Sequence, residues 1–146
     1  MKRLGLIFLS TFLLSDCSYL ESSGDAFISP LNAIQLTSES ESNSQIGEFQ
    51  MQIKSIDNIQ RMTFLNSELD SKDQRNLTIA IRPRAVQQLT KKYGDKLQEQ
   101  LLNSEIKVSG EAKRQKIWVL HRNLNTGQYY YQTKVFVKSA DQISFL

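Results

Sequence analysis

Reactive and metal-ligating side chains are nearly missing from this chain, which has one cysteine, Cys17, and one histidine, His121, in 146 residues. A lone cysteine excludes an internal disulfide, and with no clustered pair of either residue type a zinc or other transition-metal site has almost no ligands. No metal and no cofactor is expected. His121 has no serine or cysteine nucleophile beside it in sequence, so a general-base role is not expected either. Basic residues are missing from one stretch altogether: Cys17 to Glu48 holds five acids (Glu21, Asp25, Glu39, Glu41, Glu48) and no lysine or arginine. From Phe49 onward sixteen basic residues meet nine acids, a net of +7 that the whole-chain +3 conceals. Excess positive charge speaks first for solubility and general attraction to anions. No internal repeat is present.

What the chain does have at its start is a basic n-region, Lys2 and Arg3, followed by an apolar run from Leu4 to Leu14 broken only by Ser10 and Thr11. The run is too short for a permanent transmembrane helix and reads as an export signal over residues 1–16. It closes on Leu14-Ser15-Asp16-Cys17, which resembles the lipobox of bacterial lipoproteins, with Asp16 where a Gly, Ala or Ser is usual. The resemblance implies lipidation of Cys17, cleavage before it, and, with Ser18 next, an outer-membrane lipoprotein facing the periplasm. The membrane would then be a partner through the N-terminal lipid. On this reading Cys17 is an anchor, neither a redox centre nor a nucleophile.

Residues 17–44 are rich in Ser, Asn and Glu without a sustained period and read as an acidic flexible linker, with the apolar positions around Phe27, Ile28, Leu31, Ile34 and Leu36 able to dock. Residues 45–146 leave room for one domain of about 100 residues. Phe49, Met51 and Ile53 alternate with polar neighbours as in a half-buried strand. Met62 and Phe64 begin a second strand with those two residues facing inward, and Leu77, Ile79 and Ile81 mark a third. Val86, Leu89, Tyr93, Leu97 and Leu101 form one helical stripe over Arg84 to Leu102, which Gly94-Asp95 can break. Ile106 to Leu120 and Tyr129 to Val137 are two long strands, and Asp141 to Leu146 a short edge segment. The chain is thus mainly β with one helix, in the order β-β-β-α-β-β. That order resembles the OB-fold, a five-stranded Greek-key barrel with the helix between its third and fourth strands.

OB-folds that bind ligands combine aromatic platforms with basic residues on an exposed sheet face and its flanking loops. The residues here that fit are Arg61 and Arg82, expected on the open face, and Lys113, Arg114, Lys116, Trp118 and Arg122 with Tyr129 and Tyr131 around the last hairpin. At most one or two of the rings Tyr129 to Tyr131 would be free to stack. The loop Asn66 to Asn76 holds Glu68, Asp70 and Asp73, but Lys72 and Arg75 compensate them and the spacing matches no calcium loop.

The leading expectation is a non-enzymatic, lipid-anchored envelope module that binds an anionic or extended ligand or an envelope protein. The alternatives are an OB-fold that binds single-stranded nucleic acid, for which export is unfavourable, and a metal-dependent phosphodiesterase-like enzyme.

Overall fold

The computed structural model describes residues 27–146. The expected signal segment, Cys17 and its lipid lie outside the described residues. Helix α1 (Pro30–Glu39) starts where the extended Ser29 accepts a hydrogen bond from the Asn32 amide at 3.3 Å, and Pro30 fills the first turn, where its missing N–H costs nothing. Its buried residues are Ala33 and Thr37. The Thr37 hydroxyl donates to the Ile34 carbonyl at 3.0 Å and stands 3.5 Å from that of Thr133. The flexible linker expected through residue 44 is therefore corrected from Ile28 onward: Ile28 bridges Phe49, and α1 seats Ala33 fully in the core.

Strands β1 (Ser44–Gln52) and β2 (Ser55–Ile59) are two halves of one bent course. At the bend the chain changes partners. Ile53 exchanges hydrogen bonds with the segment before β5, donating to Ser104 at 2.9 Å and accepting from Asn103 at 2.8 Å, whereas Lys54 donates to Asn66 of β3 at 2.9 Å. Strand β3 is Met62–Asn66, β4 Leu77–Ile81, β5 Glu105–His121, β6 Leu124–Val137 and β7 Ile143–Phe145. The seven strands form one mixed sheet in the order β1-β5-β6-β4-β3-β2, with β7 beside β5. The β4–β6 pair is parallel and the rest are antiparallel. The two ends of that path, β1 and β2, are joined through Ile53 and Lys54, so the sheet returns on itself. Seven strands stand where five were expected, because the first is split at Ile53 and β7 adds a short partner.

The expected single helix is also split. α2 (Pro83–Tyr93) ends at Gly94, whose φ of 95° suits glycine, and α3 is Leu97–Leu101. Leu89, Leu97 and Leu101 are buried, meeting Phe49, Ile53, Leu65, Ile79, Ile106 and Val135 in one core.

The facing of β3 is opposite to expectation. Thr63 and Leu65 are buried, whereas Met62 and Phe64 lie on the outer side. The turn at Gln60 and Arg61, both with positive φ (49° and 68°), fixes Ile59 opposite Met62, and Leu65 then pairs with core residue Ile79. A shift of one residue exchanges the two sides of a strand, so turn geometry decides the matter.

Candidate functional site

Strand β1 stops pairing with β5 at Lys113, and β4 stops pairing with β6 at Thr133. From there β5 and β6 run on as a two-stranded ribbon to a tight turn at Arg122 and Asn123, both with positive φ (49° and 64°). In an antiparallel pair, residues directly opposite share a side. The pairs Arg114–Thr133, Lys116–Tyr131 and Trp118–Tyr129 therefore continue the side on which Ala112 and Val135 face the core.

Five of the residues singled out in the sequence meet on this side. The Arg114 guanidinium carbon lies 3.5 Å from the Tyr131 ring centre, a stacked arrangement. The Lys116 ammonium is 4.2 Å from the Tyr129 ring centre and 5.2 Å from that of Trp118. Trp118 and Tyr129 meet edge to face, with centres 5.4 Å apart at 70°, and Tyr129 meets Tyr131 at 5.7 Å and 79°. Each exposed cation–π contact contributes about 0.5–1 kcal/mol, enough to orient the side chains without holding them rigid. Trp118 is 46% and Tyr129 49% exposed, so both keep ring surface open to a ligand. No acidic residue occurs between Glu111 and Asp141, while Lys113, Arg114, Lys116, Arg122, Lys134 and Lys138 all fall in that interval.

Four of the residues singled out lie elsewhere. Arg61 sits in the β2–β3 turn and not on an open sheet face, because both turn positions demand positive φ. Arg82 is the residue preceding α2, its amide donating to Val137 at 3.0 Å. Arg82 lines a hollow of about 430 Å³ with Lys113 and Lys138, on the side of the sheet opposite the ladder. Lys113 is paired there with Glu111 at 3.2 Å. Arg122 is at the ribbon tip, next to the exposed His121.

The acidic loop is organised by its own residues. Asp70 accepts from the Lys72 amide at 2.9 Å, and Asp73 accepts from the Arg75 amide at 2.9 Å. The Arg75 guanidinium also donates to both Asp73 oxygens, at 3.1 and 2.8 Å, and holds that carboxyl down at about 2. Among the described residues no group of three or more His, Cys, Asp or Glu is placed to hold a metal ion.

No known protein-family model matches this chain, and no curated protein matches it. Among solved structures it is similar to a protein assigned as an aspartyl-tRNA synthetase from Leishmania major Friedlin, with a TM-score of 0.39 and 11% identity, over 93% of this chain and 23% of that one. It is also similar to aspartyl tRNA synthetase from Entamoeba histolytica, with a TM-score of 0.43 and 9% identity, over 99% of this chain and 28% of that one. The chain thus spans about a quarter of the length of each. The leading expectation of a lipid-anchored envelope module is corrected at this point: the similar structures are described as aspartyl-tRNA synthetases, and nothing in the comparisons supports an envelope module.

Proposed function

We propose that the chain is a binding module of OB type that takes single-stranded nucleic acid along the β5–β6 ribbon. The reading rests on this chain's own side chains. Lys116 set against the rings of both Trp118 and Tyr129, on a ribbon free of acids, is the observation that carries it. Open ring surface on Trp118 and Tyr129 can stack unpaired bases, and Arg114, Lys116 and Arg122 can meet the phosphates between them. A duplex hides its base faces and can use only the cations. The OB assignment is supported by a sheet that returns on itself through the β1–β2 bend, by the parallel β4–β6 pair, and by helices placed between β4 and β5.

The test is titration of a fluorescently labelled oligothymidine, and of a duplex of equal length, with the full chain at several salt concentrations. With three phosphate contacts the log–log salt slope for the single strand is roughly −2. Trp118 is the only tryptophan, so its own fluorescence reports stacking directly. Failure to bind at low salt, or equal affinity for the duplex, refutes the proposal.

A further inference from the structure

The opposite side of the same ribbon carries a second feature. A cleft of about 310 Å³ opens between the outer side of β2, β3 and β4 and the ribbon pair Ile117–Tyr130, at the lower end of the range usual for small-molecule sites. Its apolar walls include Phe64, Ile117 and Tyr130, and its charged groups are Lys134, Lys72 and Asp57. Lys134 stands in a row that crosses the sheet, Asn66 opposite Thr78 and Thr78 opposite Lys134. Its ammonium lies 5.8 Å from the Phe64 ring centre. The ion pairs of the described residues do not include Lys134, and partial burial holds its ammonium below the usual lysine value. A half-buried cation beside apolar rings, with no carboxylate within ion-pair distance and with Asp57 of the same cleft engaged by Asn66, is a poor arrangement for stability and a good one for an incoming anion.

The wall around it is preformed. Asn66, fully buried, donates to Asp57 at 2.9 Å and accepts from Asn76 at 3.1 Å and Thr78 at 3.0 Å. Asn76 at 3.2 Å and Gln132 at 3.0 Å both donate to the Ser71 carbonyl, which fixes the rim that carries Lys72. Little ordering is left for a ligand to impose.

We propose that this cleft binds a small planar organic anion, an aromatic carboxylate in the simplest case, with its charge on Lys134 and its ring against Phe64, Ile117 and Tyr130. The site is separate from the ladder and does not depend on the nucleic-acid reading. The test is amide-resolved NMR titration of the full chain with three probes: 2-naphthoate, its neutral analogue 2-naphthamide, and acetate. The expected result is saturable shifts centred on Thr78, Ile117 and Tyr130 with naphthoate, and at least tenfold weaker binding of the uncharged ring and of the ringless anion. Lys134→Met lowers naphthoate to the level of the amide, and Lys134→Arg keeps it within a few fold. Lys116→Gln, which weakens oligonucleotide binding, leaves naphthoate binding in place. No saturable shift, unchanged affinity in Lys134→Met, or loss in Lys116→Gln overturns the proposal. Thermal melts of each variant separate loss of the site from loss of the fold.

Discussion

Replacing Asn76 by alanine tests whether the β3–β4 loop is held by one buried side chain. Asn76 is 3% exposed, and its two amide hydrogens face three acceptors: Asn66 Oδ1 at 3.1 Å, the Ser71 carbonyl at 3.2 Å and Thr78 Oγ1 at 3.0 Å. Its carbonyl accepts from the Ser67 hydroxyl at 3.3 Å and the Glu68 amide at 3.1 Å. After truncation Asn66 Oδ1 still has Thr78, and Ser71 still has Gln132. The Ser67 hydroxyl proton and the Glu68 N–H are left without these acceptors, in a place where Ser67 is 4% exposed. Two such groups at about 1–3 kcal/mol each, the Glu68 amide belonging to a half-buried residue, give a loss of about 3 kcal/mol, in the lower half of the range. With a urea slope of about 2 kcal/mol per molar, the unfolding midpoint falls by about 1.5 M. Asp70→Ala, which removes one exposed bond to the Lys72 amide, stays within about 0.5 kcal/mol of the parent and serves as the control. An Asn76→Ala loss below about 1 kcal/mol refutes the reasoning, since it would show that water replaces the amide at no penalty.

The remaining predictions concern charge, packing and the ladder. Asp73 has a depressed folded-state pKa, so its contribution is present above the ordinary carboxyl value of 3.8 and is lost as pH falls through about 2; carboxyl NMR titration should place its midpoint there, and Arg75→Ala should return it toward 3.8. Lys116→Gln should make the oligonucleotide salt slope shallower by roughly 0.7, and Trp118→Ala should weaken binding by about 1–3 kcal/mol without lowering the melting temperature. Ala33→Asp places a carboxylate at a fully buried position and should release α1, read as new protease cleavage between residues 27 and 43.

Legibility in the sequence followed the size and chemistry of the buried residues. Half-buried strands such as Phe49, Met51 and Ile53 announced themselves because alternation is a direct record of burial. Helix α1 gave no such record: the residues it buries are the small Ala33 and the polar Thr37, while Leu31 and Leu36 remain exposed. Its real signal was Ser29-Pro30, a cap followed by a first-turn proline. In β3, Met62 and Phe64 suggested the wrong side because apolar side chains also line the outer cleft. The ladder residues were legible as basic and aromatic positions of long strands. Which of them would converge depended on where the partner strands β1 and β4 stop, at Lys113 and Thr133, and pairing register is not written in either strand alone. The same holds for Lys134 and Tyr130, which only the crossing of several strands brings beside Phe64.

The ribbon beyond the main sheet also has consequences for how copies of this chain behave together. Among the described residues, no strand pairs with the outer edge of β5 after Lys113 or with that of β6 before Thr133. Two such open edges, flanked by the exposed Trp118, Leu120 and Leu124, are templates for self-assembly. Positive charge of one sign along them sets neighbouring chains against each other, so the lysines and arginines act as a solubility device before any ligand arrives. Salt weakens that repulsion. Light scattering should therefore rise with ionic strength in the free chain, and Lys116→Gln should bring the onset to lower salt.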